Sequence, residues 1–205
     1  SIVLFPIVLT QFISGSGYFS GFFLGEAAQD VLHQEMSKYF DIRDDANDLA
    51  KIFKDHNVEY VFNYAAEPYI PECFQRPAHF FDINATAVLK VLTACEKAEI
   101  NGLLQVSSAE IYGNMKGKIK ETDPVEPHST YGVSKLAADG LVQVRWKEAK
   151  TPAIAMRQFN CVGERETHEY VIPEIISQLN KSNTVKILWA VFGKKHCFFK
   201  LKFSI

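Results

Sequence analysis

Tyr131 and Lys135 stand four residues apart in the segment Ser129-Thr-Tyr-Gly-Val-Ser-Lys135. On a helix that spacing places phenol and ammonium one turn apart on one face, where the ammonium stabilises a phenolate and draws the tyrosine pKa from about 10 toward neutrality. A tyrosine tuned in this way is a general base for a hydroxyl group. The pair alone is a common helical spacing, so the chemistry rests on its surroundings. Upstream lies Ser107-Ser-Ala-Glu-Ile-Tyr-Gly113, with two adjacent hydroxyls and the carboxylate of Glu110, followed by an irregular stretch holding Glu121 and Pro127.

The elements around these residues alternate. Residues 2 to 9 form a continuous apolar run of the kind that buried parallel strands show, with Pro6 suited to a strand end. Glycines follow at 15, 17 and 21. Helices are expected over 22–36 and 44–56, the second with Leu49, Ile52 and Phe53 on one face, and a strand between them ending in Asp41-Ile-Arg-Asp44. Val58 to Asn63 reads as a strand ending at Ala65-Ala66, and the Pro-containing stretch to Pro77 as a loop. Ile83, Ala87, Val88, Val91 and Leu92 repeat at helical spacing within 80–97. Leu103 to Val106 is a strand that delivers Ser107 and Ser108, 113–129 is loop, and a helix over 131–150, a strand over 153–159 and a helix over 172–180 complete the series. Alternating strands and helices imply right-handed crossovers and a doubly wound parallel sheet covered on both faces, with ligands beyond the carboxyl ends of the strands. No element is assigned to 188–205.

Composition narrows the partners. A chain of 205 residues with 47% hydrophobic residues can bury a core, and a net charge of -2 with mixed signs gives no basic stripe for nucleic acid. Cysteines 73, 95, 161 and 197 have no paired spacing, and the six histidines are scattered, so no metal is expected and the thiols read as reduced in a cytoplasmic protein. The first charged residue is Glu26, but Pro6, Gln11 and several glycines and serines break the uncharged stretch. No membrane association is expected from it.

In order and spacing these motifs resemble the extended short-chain dehydrogenases/reductases that epimerise or dehydrate nucleotide sugars. Ala65-Ala66 resembles that family's paired alanines, Asn84 its helix asparagine, and Arg157-Gln-Phe-Asn160 with Gly163-Glu-Arg165 its later segments. The resemblance implies a Rossmann-like fold holding NAD, with NADP also open, and a nucleotide-sugar substrate. It implies Tyr131 as base for the sugar 4-hydroxyl, Lys135 on the nicotinamide ribose, Ser108 on the sugar oxygen and Asn160 on the substrate. Glu110 matches the dehydratase acid that removes a proton beside a ketone, whereas Ala109 is closer to epimerases, so both reactions stay open. Cofactor contacts are expected from Gly15, Gly17, Gly21, Asp41, Asp44, Ala65, Ala66 and Asn84, and pairing into a homodimer through the helices over 80–97 and 131–150.

Two departures accompany the resemblance. The family's glycine turn has serines at 14 and 20 in the best-aligned register. The expected organisation is a nucleotide-binding domain over 1–162 with a remnant of the substrate domain and an atypical tail over 163–205. The alternative is a protein that keeps the fold as a non-catalytic binding or scaffold module.

Overall fold

The computed structural model describes residues 6–9, 41–161, 171–181, 184–189 and 197–202, with side chains over 41–161 and 172–181. The described residues fall into two compact units, one holding 6–9 and 41–160 and the other holding Cys161 and the described residues after it.

In the first unit four strands form one parallel sheet in chain order: β1 (Pro6–Leu9), β2 (Tyr60–Asn63), β3 (Gly102–Val106) and β4 (Ala153–Met156). The register pairs Val61 with Leu103 and Leu103 with Ala153, so one row of side chains crosses the sheet on one face. That face is apolar and covered. Helices α1 (Ala46–Asp55), α4 (Ala87–Ala98) and α5 (Thr130–Ala149) pack side by side, α1 against α4 and α4 against α5. Leu49 and Phe53 of α1, Val88, Val91 and Leu92 of α4, and Ala138 and Val142 of α5 meet Val61 and Leu103 in a single core. The opposite row runs Phe62, Leu104, Ile154, and Ile154 is exposed. Among the described residues the helices packed on the sheet lie on one face; the helix expected over 22–36 lies outside the described residues.

Local chemistry sets the helix ends. Asp45 caps α1, its carboxylate accepting the Asn47 backbone N–H at 2.7 Å. A short helix, α2 (Ile70–Cys73), occupies the stretch expected to be loop, and another, α3 (Pro77–Phe81), starts at its last residue, each with proline in its first turn, where the missing N–H has no intrahelical partner to lose. Between α3 and α4 the backbone makes a π-helical turn, Asp82–Thr86, so the expected single helix over 80–97 is continuous but carries one wider turn. Residues 41–44 form a turn closed by the Asp44 N–H on the Asp41 carbonyl at 2.8 Å, not the strand end that the sequence suggested.

The second unit contains α6 (Val171–Leu179) and an antiparallel hairpin of β5 (Thr184–Trp189) and β6 (Cys197–Lys202), paired from Thr184↔Lys202 to Trp189↔Cys197. The tail to which the sequence assigned no element thus supplies strand residues. The glycines at 15, 17 and 21 and the helix expected over 22–36 lie outside the described residues.

Candidate active site

Helix α5 begins hard against the strand-end turn that follows β3. Its cap is Ser129, whose hydroxyl accepts the Gly132 N–H at 3.0 Å. A Cβ on residue 132 would lie 2.8 Å from the Pro127 Cβ and 3.0 Å from the Glu110 carbonyl oxygen, so glycine is what permits this approach. Opposite it, Ser108 caps a 3-10 turn, Ala109–Tyr112, accepting the Glu110 N–H at 3.2 Å. The turn is tied to the sheet edge by Ser107 N–H to the Met156 carbonyl at 2.9 Å and Ala109 N–H to the Gln158 carbonyl at 2.8 Å.

Tyr131, Lys135 and Asp139 recur every four residues and share one buried face of α5. The first two are fastened at the end of β3 and the third at the end of β4. Tyr131 hydrogen-bonds the Ser108 hydroxyl. The Lys135 ammonium donates to the Val106 carbonyl at 3.0 Å. Asp139 takes both nitrogens of the Arg157 fork, from Nε at 2.9 Å and from Nη2 at 3.0 Å. The structure thus brings together Tyr131, Lys135 and Ser108, with Glu110 close enough for its charge to act on the phenol.

The electrostatics correct one expectation. Burial holds the Tyr131 phenol above its usual range; the Ser108 hydrogen bond lowers it in part, and the like charge of Glu110 raises it further. The drop toward neutrality expected from Lys135 does not occur, because that ammonium is turned to the Val106 carbonyl and stands 5.9 Å from the phenol ring centroid. Lys135 is itself perturbed: burial without a carboxylate partner pushes it down to about 8.

Asn84 sits in the π-helical turn, buried, with its amide committed on every side. Its oxygen accepts the Glu67 N–H at 2.8 Å, and its nitrogen donates to the Glu67 carbonyl at 3.1 Å and to the Ser134 hydroxyl at 3.2 Å. Ser134 in turn donates to the Tyr131 carbonyl at 2.7 Å, so Asn84 ties the segment after β2 to the start of α5. Ala65 is buried and Ala66 half-buried at the carboxyl end of β2, the former donating its N–H to the Asn63 side chain at 3.1 Å. Asn160 is exposed, four residues past the end of β4. Asp41 and Asp44 are held in their own turn: the Asp41 carboxylate grips Arg43, with Nη2 at 2.6 Å, and the Asp44 carboxylate accepts the Asp41 N–H at 3.0 Å. They are not brought to Tyr131.

Several residues of this edge escaped the sequence reading. Glu67 is buried with one carboxylate oxygen that accepts no hydrogen bond, 3.6 Å from the Arg76 Nη2 and 3.7 Å from the His79 Nε2, which is also without a hydrogen bond. Burial raises the first group and lowers the second. The Ser107 hydroxyl is buried without a partner. Asp139 and Arg157 were also missed in their mutual role, although the four-residue recurrence of Tyr131, Lys135 and Asp139 is visible in the sequence. Among the described residues no group of three His, Cys, Asp or Glu could hold a metal, and no helix is long and apolar enough to cross a membrane.

The chain is similar to several known proteins. The human dTDP-D-glucose 4,6-dehydratase is 29% identical over 136 residues, 66% of this chain and 39% of that protein. The UDP-glucose 4-epimerase of Lacticaseibacillus casei is 32% identical over 126 residues, 60% of this chain and 37% of its own. Among solved structures, the Streptomyces venezuelae dTDP-glucose 4,6-dehydratase with NAD and TYD bound superposes with a TM-score of 0.65 at 26% identity, covering 71% of this chain and 45% of that one. The Methanobrevibacter ruminantium UDP-N-acetylglucosamine 4-epimerase gives 0.62 at 30% identity, over 68% and 47%. The chain spans less than half the length of these relatives. Its sheet and helices are those of a Rossmann-like α/β fold, and the model of the NAD dependent epimerase/dehydratase family matches residues 26–192: the chain belongs to that family.

Proposed function

We propose that the chain is the cofactor-holding portion of an NAD-dependent enzyme that epimerises or dehydrates a nucleotide sugar. The observation that carries this reading is the buried triplet at the β3 edge, the Tyr131 phenol hydrogen-bonded to Ser108 with the Lys135 ammonium one turn away. NAD, when bound, supplies the hydride acceptor at the sugar 4-position. The residues present suit such a group: the ammonium has donors beyond the one given to Val106, as a ribose diol needs, and the hydroxyl of Ser107, the residue after Val106, is buried without a hydrogen bond.

Tyr131 would accept the proton of the sugar 4-hydroxyl as its phenolate, a form that burial disfavours in the unliganded site and that the positive charge of an oxidised nicotinamide bound alongside would favour, and Ser108 orients that hydroxyl by hydrogen bond. Lys135 holds the nicotinamide ribose. Ala65 and Ala66 allow close approach at the end of β2, Asn84 acts by fixing the backbone of residue 67, and Asn160 contacts the substrate. Glu110, at the turn beside Tyr131, removes the proton next to the ketone in a dehydration. NADP is the alternative cofactor, the operating compartment is the cytoplasm, and two copies pair through α4 and α5.

Calorimetric titration with NAD and NADP, followed by a screen of nucleotide-diphospho-hexoses with wild type and Tyr131→Phe, tests this. Turnover abolished by Tyr131→Phe supports it; turnover unaffected by that change sinks the assignment of the base.

A further inference from the structure

Arg157 follows β4 directly and stands where three segments meet. Its fork holds both oxygens of Asp139 on α5, and its remaining nitrogen, Nη1, donates to the Tyr112 hydroxyl at 2.7 Å and to the Glu121 carbonyl at 2.8 Å. The guanidinium carbon also lies 5.3 Å from the centroid of the Tyr112 ring. Tyr112 is the last residue of the 3-10 turn that Ser108 caps, and Glu121 belongs to the irregular stretch beyond it. Gly113, at φ +65, turns the chain so tightly that a Cβ there would meet the Glu126 carbonyl oxygen at 2.0 Å. The turn is therefore held at its near end by the sheet edge, at its middle by the close approach of Gly132, and at its far end by Arg157. Ser108 and Glu110 lie within this hold.

We propose that Arg157 is a positioning residue, anchored by Asp139, that fixes the turn Ser108–Tyr112 through the Tyr112 hydroxyl and so aims Ser108 and Glu110 at the Tyr131 phenol. The inference rests on the reading of Tyr131 as the base. A buried ion pair adds little net stability over an apolar pair of the same size, so stability alone does not call for this one. What the planar fork provides, and lysine does not, is several directed bonds at fixed angles. A proton transfer between Tyr131 and a hydroxyl held by Ser108 needs that kind of placement, since small displacements of reacting groups are expensive in rate.

Tyr112→Phe and Arg157→Lys test it in the full chain. The first removes one hydroxyl and leaves the ion pair, so it keeps the test open should the second fail to fold. Hydrogen exchange should quicken at residues 109–112 by about fivefold to tenfold, the equivalent of one lost hydrogen bond, while Ala87–Ala98 keeps its protection. In protein labelled with fluorotyrosine, the fluorine titration of Tyr131, assigned by its absence in Tyr131→Phe, should move upward in pH as the Ser108 bond loosens. Exchange at 109–112 unchanged in Tyr112→Phe overturns the proposal. So does an equal loss of protection over 109–112 and 87–98, which would make Arg157 a general support. Turnover that survives Tyr131→Phe sinks the base assignment separately and leaves the exchange result standing.

Discussion

Two cations lie along one face of α5, the buried Lys135 of the helix itself and the half-buried Arg157 that meets Asp139 one turn on, and they are treated in opposite ways. Arg157 meets a carboxylate, and its fork pairs with Asp139 through two bonds while the Tyr112 hydroxyl takes a third. Lys135 meets none: its one bond is to the neutral Val106 carbonyl, and burial alone holds it near 8. The first cation is kept charged by its surroundings, and its pKa rises. The second is kept at a cost to folding. A compensated charge fastens structure, whereas an uncompensated one in the same wall is the kind that the proposed cofactor contact would complete.

The comparison breaks most clearly at Tyr131, which stands beside the uncompensated cation. Tyr131→Phe should lower turnover about 10³-fold, equivalent to about 4 kcal/mol, while shifting the urea midpoint little. A variant that unfolds with the same loss would place the phenol among the fastenings instead. Next in size is Asp139→Ala, which strands the Arg157 charge and should reduce unfolding free energy by about 3 kcal/mol in urea titration. A change within experimental error would mean that the pair is dispensable.

Lys135→Met should act in the other direction, stabilising the fold by about 2 kcal/mol near pH 7 while abolishing cofactor binding, because it removes the cost of burying an ammonium while the Val106 carbonyl keeps the Gln105 amide as a donor, at 3.1 Å. The pH dependence gives the sign. The folded pKa of about 8 lies below the ordinary 10.5, so between those values the unfolded chain binds more protons and this group makes stability rise with pH. The advantage of Lys135→Met should be full below pH 8 and fade toward pH 10.5, and a constant advantage would refute the origin assigned to it. The smallest effect belongs to a residue off this wall: Asp45→Ala, which removes the α1 cap, should cost about 1 kcal/mol in thermal or urea melts at neutral pH and leave cofactor titration unchanged.

What could be read in the sequence was what neighbours in the chain decide. The apolar spacing of Ile83, Ala87, Val88, Val91 and Leu92 located the core face of that helix, and all five are buried. The Tyr131 and Lys135 spacing likewise put both on one face. Contacts made across the fold were not visible. Asn84 meets Ser134 from 50 positions away, and Tyr112 meets Arg157 from 45, and no local pattern encodes such distances. The direction of the Tyr131 shift was missed for a related reason: spacing gives proximity along a helix, but desolvation depends on everything packed around the group. At Asp41 and Asp44 the sequence did not show that the carboxylates also serve their own turn, where Arg43 and the backbone take them.

The π-helical turn at Asp82–Thr86 has a bearing on which insertions and deletions the gene could tolerate. It holds one residue more than a regular turn would, and removing any one of the five would let the backbone heal into plain α-helix. The healed helix would nonetheless be rotated by about 100° between its two halves, the step that one residue makes around an α-helix. Phe80 and Asn84 would then no longer share their present bearing with Val88 and Val91. A deletion that is locally harmless would thus unhook the strand-end segment after β2 from α5, so the length of this stretch should be guarded even where its side chains are free to vary.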